Sequence, residues 1–114
     1  MNINDLKAKG GFVPLAPIKK EVTWTRMNDA GEEISDTFDI YVKRQSFGTI
    51  EAIWSGEKDR SKSADYISQS IRLGPGGKET LTYDEAYQLD TGLATAFIVA
   101  INEVNGTGDA KAKN

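Results

Sequence analysis

Leu93–Gly106 reads LATAFIVAINEVNG. Leu93, Phe97, Ile101 and Val104 fall on one helical stripe, Ala94, Ile98 and Asn105 on a second, and Val99 on neither. Gly106 supplies the stop that a helix C-terminus favours. One stripe suffices to pack such a helix on a sheet. The second stripe and Val99 then need a cover of their own, which in a chain of 114 residues is either the remaining core or another molecule. Phe97, Ile98 and Val99 are therefore candidate partner-binding residues.

Upstream, Asp90-Thr91-Gly92 breaks the pattern and offers caps. Thr82 followed by Glu85 is a capping-box signature, with Asp84 adding negative charge where a helix N-terminus favours it, so a short helix carrying Ala86 and Leu89 inward is predicted to run to about Asp90. Near the start, Ile18, Val22 and Trp24 share one face of an alternating run broken by Lys20, and Phe38, Ile40 and Val42 share one face of a second run that begins at Thr37. Between them, Asn28-Asp29-Ala30-Gly31 has the composition of a reversing turn. The fold class expected is α+β: a small antiparallel sheet centred on a β-hairpin, with helices packed on one side.

The intervening chain is less regular. Phe47, Ile50, Ile53 and Trp54 sit at helical spacing between Ser46 and Ser55, although a strand continuing through Ile50 fits as well. GEKDRSKSAD reads as a solvated loop with Ser63 or Asp65 as the next helix cap, and residues 63–73 fit helix or strand before the Gly74-Pro75-Gly76-Gly77 reversal. Residues 1–17 form a mobile lead-in with a short helix capped by Asn2 or Asn4 and stopped at Gly10-Gly11. Residues 18–106 form a single α+β domain, and 107–114 a small, polar, disordered tail. Trp24 is expected in the core beside Val22. Trp54, at a segment end, is either core or an interface anchor and counts as a candidate partner-binding residue.

Composition removes several chemistries. With no histidine and no cysteine, imidazole acid-base catalysis, Ser-His-Asp and Cys-His nucleophiles, disulfides and Cys- or His-ligated zinc are unavailable. The carboxylate pairs Asp36/Asp39 and Glu32/Glu33 lie in a hairpin whose solvent face needs charge, and read as surface. Gly77-Lys78 lacks the P-loop's earlier glycine and following hydroxyl, since Arg72 and Glu79 occupy those positions. Net charge is -3, and the Lys/Arg clusters are interleaved with or followed by acids or hydroxyls and lack stacking aromatics, so no nucleic-acid partner is expected. No run of apolar residues is long enough for a membrane span or signal peptide, so no membrane partner is expected either. No cofactor is expected.

The order of four segments carries more. VTWTRMNDAGEEISDTFDIYVKR (22–44), DRSKSADYIS (59–68), LTYDEAYQL (81–89) and AINEVNG (100–106) together resemble the tail assembly chaperones of long-tailed, siphovirus-type bacteriophages. The resemblance runs from Phe12 to Gly106. It implies a non-enzymatic, homo-oligomeric protein of the host cytoplasm, absent from the mature virion, that binds the tape measure protein and promotes tail tube polymerisation. It also implies a longer, frameshifted form recruiting the major tail tube protein, with Thr107–Asn114 as the junction. The alternative class is a structural virion component, a minor tail or head-tail joining protein.

Overall fold

The computed structural model describes residues 1–56 and 58–106. The hairpin is fixed at its tip by Asn28. Its Oδ1 accepts from the amides of Ala30 (3.0 Å) and Glu32 (2.9 Å), and its own amide donates to the Glu32 carbonyl (2.8 Å). Gly31 takes φ +79°, a left-handed value that suits glycine. With Asn28 closed onto Glu32, β1 (Ile18–Met27) and β2 (Glu33–Val42) pair from Met27 opposite Glu33 to Ile18 opposite Val42. β2 thus begins at Glu33, four residues before Thr37. The tight turn brings Ile34 and Ser35 into register with Arg26 and Thr25, and the Thr25 and Ser35 hydroxyls bond at 2.7 Å.

Alternation sorts the two faces of the hairpin. The even-numbered face buries Val22, Ile40 and Val42. The odd-numbered face is polar and exposed, with Thr23 opposite Thr37 (Oγ1 to Oγ1 2.9 Å) and Lys19 ion-paired to Asp39 (3.4 Å). A short β3 (Ile71–Leu73) lies antiparallel beside β2, and β4 (Glu79–Thr80) beside β3, giving the order β1-β2-β3-β4.

Three of the helices contribute buried residues to the core on the apolar face. α2 (Phe47–Trp54) starts at Ser46, whose Oγ accepts from the Thr49 amide (3.2 Å). α3 (Lys62–Ser70) is capped by Ser61, not by Ser63 or Asp65; Asp65 instead holds the Arg60 guanidinium at 2.7 Å. The segment that fitted helix or strand proves to be one after the other: α3 ends at Ser70 and β3 begins at Ile71 with no residue between. Ile67 and Ile71 point into the core from the two elements, so both periods are satisfied.

Thr82 caps α4 (Tyr83–Tyr87) with the expected capping box: the Glu85 amide donates to Thr82 Oγ1 at 3.1 Å and the Thr82 amide to Glu85 Oε1 at 2.9 Å. α4 is shorter than predicted, ending at Tyr87. α5 (Thr91–Asn105) then crosses the sheet, burying Phe97, Ala100 and Ile101 against Ile40, Val42, Ile67 and Ile71. Gly106, at φ +73°, ends it in the left-handed conformation.

α1 (Ile3–Ala8) stands apart. Asn2, one of the two residues expected to cap it, makes a capping box with Asp5, and the Gly11 and Gly10 amides donate back to the Leu6 (2.8 Å) and Lys7 (3.2 Å) carbonyls as in a Schellman motif. Both ends are thus satisfied, yet the helix buries no residue.

Trp24 is not in the core. It is half-buried at the margin, where its Nε1–H donates to Asp90 Oδ2 (3.0 Å) while the Arg26 guanidinium lies 3.9 Å over its ring. Its neighbours on that face explain this. Arg26 and Asp36 form an ion pair there at 2.7 Å, so the apolar face ends at Val22 and Phe38. The same Asp90 oxygen accepts from the Leu93 amide (3.2 Å), which makes one carboxylate both the cap of α5 and its tie to β1. Asp90→Ala is expected to lower stability by about 1–2 kcal/mol. In a urea-denaturation double-mutant cycle, Trp24→Phe should cost less in that background than alone, because the shared bond is already gone.

Candidate partner-binding surface

α2 is built as a two-sided helix. Ile53 is its buried anchor, while Phe47, Glu51 and Trp54, at i, i+4 and i+7, line the exposed side and Ile50 is half-buried between the two. Phe47 is 82% exposed and Trp54 52%, values far from those of core aromatics. The Trp54 ring meets Tyr66 of α3 edge-on, 5.8 Å between centroids at 70°. Tyr66 is placed in turn by Asn105, whose Nδ2 donates to the phenol oxygen (3.3 Å) and to the Ile101 carbonyl (3.0 Å). The end of α5 therefore props the aromatic pair.

Depressions flank α2 on both sides. One, of about 310 Å³, is lined by Arg44, Gln45, Phe47, Ile50, Tyr66 and Asn105. Gln45 Nε2 donates there to the Gln69 carbonyl (2.7 Å), and Arg44 Nε is buried without an acceptor among the described residues. The other, of about 690 Å³, separates α2 from α3 and has Thr49, Ala52 and Ile53 on one wall and Asp65 and Gln69 on the other. α2 is a ridge with apolar residues along its crest.

The other sequence candidates divide. Phe97 is 1% exposed and lies in the chain's own core, which corrects its expected place on a partner face: the stripe of Leu93, Phe97 and Ile101 is the one that packs on the sheet. Ile98 is half-buried in a shallow depression with Ala64, Ile67 and Leu89. Val99 is 51% exposed on the outer side of α5, beside a depression of about 250 Å³ that it shares with Ala96, Glu103 and the β1 residues Glu21 to Thr23. Trp54 and Val99 thus lie on separate surfaces. Phe47 was missed as a candidate, although its spacing to Ile50 and Trp54, with Ile53 facing the other way, was the available signal. Exposed Met1, Ile3, Leu6, Phe12 and Leu15 of the lead-in were missed as well.

None of the arrangements supports catalysis by paired carboxylates. Asp36 and Asp39 are three apart on a strand and so point to opposite faces, each with its own cation, Arg26 and Lys19. Glu32 accepts from Asn28 Nδ2 at 3.5 Å in the turn. Gly74, Gly76 and Gly77 all have positive φ, and a Cβ on Gly77 would sit 2.6 Å from the Tyr41 ring, so the glycines serve the turn. Among the described residues no group of three or more carboxylates is placed to hold a metal, and no helix is long and apolar enough to cross a membrane.

Burial pushes the Tyr66 phenol above its ordinary pKa near 10, and the Asn105 hydrogen bond pulls it partly back. A raised folded-state value means the neutral phenol stabilises the fold fully below pH about 10, and this contribution fades as pH rises through the folded pKa. In an ultraviolet titration, Tyr66→Phe should remove a late-ionising tyrosine, and it should flatten the alkaline loss of stability.

No curated protein and no solved structure matches the chain. A family model does, the one described as "Phage tail assembly chaperone, TAC", over residues 4–105. That span takes in the hairpin, the α2 ridge, α5 and most of α1. The chain belongs to the phage tail assembly chaperone family.

Proposed function

We propose that the protein is a non-enzymatic chaperone of the host cytoplasm that binds the tape measure protein and promotes polymerisation of the tail tube around it. The observation that carries this reading is the α2 ridge, where Phe47 and Trp54 stand exposed beside two depressions although the chain has a complete core elsewhere. A long client with apolar helical stripes would aggregate unless covered, and ridge residues of this kind insert between side chains of an amphipathic helix. The net charge of -3 favours solubility of the covered complex.

Trp54 is the anchor in this reading. Val99 and the half-buried Ile98 form a second contact surface on α5, suited to another copy or to the client. Phe97 contributes only by holding α5 in place. Recruitment of the major tail tube protein would belong to a longer frameshifted form; its proposed junction, 107–114, lies outside the described residues. A structural virion component remains the second reading, favoured by the same exposed apolar surface. Mass spectrometry of purified virions separates the two: a chaperone is absent and a structural subunit is present in stoichiometric amount.

Co-expression with the tape measure protein tests the assignment directly. Trp54→Ala is expected to weaken capture by about 2 kcal/mol, roughly thirty-fold, and to return the client to the insoluble fraction, while circular dichroism stays unchanged. Client solubility equal to that with the wild type would remove Trp54 from the site. Ile98→Ser with Val99→Lys should reduce self-association or client solubility; if both persist, the α5 surface has no partner.

A further inference from the structure

Asn105-Gly106 is the single Asn-Gly pair in the sequence, and it ends α5. Conformation accounts for the glycine. Gly106 takes φ +73° at the helix stop, and its amide donates to the Asn102 and Glu103 carbonyls, at 3.2 Å to the latter. Asn105 is tied down as well, its Nδ2 donating to the Ile101 carbonyl at 3.0 Å and to the Tyr66 phenol oxygen at 3.3 Å. The residue that suits the cap has a chemical consequence. With no side chain on Gly106, Asn105 is followed by the least hindered backbone nitrogen that a chain can offer to its side-chain carbonyl.

We propose that Asn105 is a self-modification site, gated by the last turn of α5. When that turn opens, the Gly106 nitrogen attacks Asn105 Cγ. The new N–C bond closes a succinimide ring, the Cγ–Nδ2 bond breaks, and ammonia leaves with the proton that Gly106 gives up. Solvent water then adds to a ring carbonyl and reopens the ring. Opening at the backbone nitrogen's bond to Cγ gives aspartate; opening at its bond to the main-chain carbonyl gives isoaspartate, whose backbone runs through the side chain.

The folded chain holds this reaction back. The Gly106 nitrogen is engaged by carbonyls, Asn105 Nδ2 by its own acceptors, and the helical backbone of Asn105 keeps that nitrogen out of line with Cγ. Helix ends open more readily than their middles, so each bond that closes the last turn slows the chemistry. Water has access, since both residues are partly exposed and Asn105 lines the depression beside Phe47 and Tyr66. Neither product restores the link. A carboxylate has no N–H for the Ile101 carbonyl, and its charge is unfavourable at a helix C-terminus. Isoaspartate also displaces Gly106 by lengthening the backbone. Tyr66 then loses the donor that places it, and Trp54 loses a fixed ring to meet edge-on. The modification is independent of which client the chaperone holds.

Peptide mapping of the stored full-length protein by mass spectrometry follows the conversion, with fragmentation that separates aspartate from isoaspartate. Asn105 should convert faster in urea than in the folded chain. Folded Tyr66→Phe should convert about five-fold faster than folded wild type, the weight of one hydrogen bond on the opening equilibrium. Asn105→Gln should stay unmodified at that position over the same period, because the longer side chain closes an imide ring far less readily. In a Trp24→Phe background Trp54 is the only tryptophan, so its emission should shift in the converted protein and stay constant in Asn105→Gln stored alongside. An Asn105 that never converts, equal rates folded and unfolded, no acceleration in Tyr66→Phe, or converted protein with the emission of fresh protein overturns the inference.

Discussion

Burial of α5 across one face of the hairpin is the contact on which the rest of the body depends. The odd-numbered face of β1 and β2 is threonine, serine and ion pairs, so the sheet has a single apolar side, and every helix that needs a core must share it. Phe97, Ala100 and Ile101 fill that side against Ile40 and Val42, and α3 closes it with Ile67. With the central space taken by α5 and α3, α2 is left to anchor through Ile53 alone. The exposed ridge follows from competition for one limited face. Asp90 sets the alignment, because the residue that starts α5 is also the one that holds Trp24.

Much of this was legible in the sequence. The hairpin, its turn, the Thr82 capping box and the last helix each announce themselves through signals of short range: alternation, a small polar turn, a hydroxyl three residues before a carboxylate. What was not legible depended on distant partners. Trp24 alternates with Val22 and so looked like core, but its depth is set by Arg26 and Asp36 across the strand pair and by Asp90, sixty-six positions away. Phe97 and Val99 are both apolar and two apart on one helix; only the location of the sheet decides that the first is swallowed and the second is bare.

The candidate surface shows the same division. Helical spacing placed Phe47, Ile50, Ile53 and Trp54 on one element, yet it could not say which side faced inward, since both sides are apolar. Ile53 wins because it projects toward the body while Phe47 and Trp54 project away. The lead-in posed the opposite problem. Its caps were visible, but that α1 buries no residue is a fact about the whole fold, which no local pattern encodes.

The junction at Ser70 and Ile71 has a mechanical consequence. A helix usually reaches a strand through a few loop residues that can absorb a change of angle, and here there are none. Gln45 fastens the same point from the side, donating to the Gln69 carbonyl and to Ser70 Oγ. A load applied at Trp54 passes through Tyr66 into α3 and from there directly into the strand beside β2, without a hinge to dissipate it. The surface at Trp54 is therefore backed, through Tyr66 and α3, by the sheet itself.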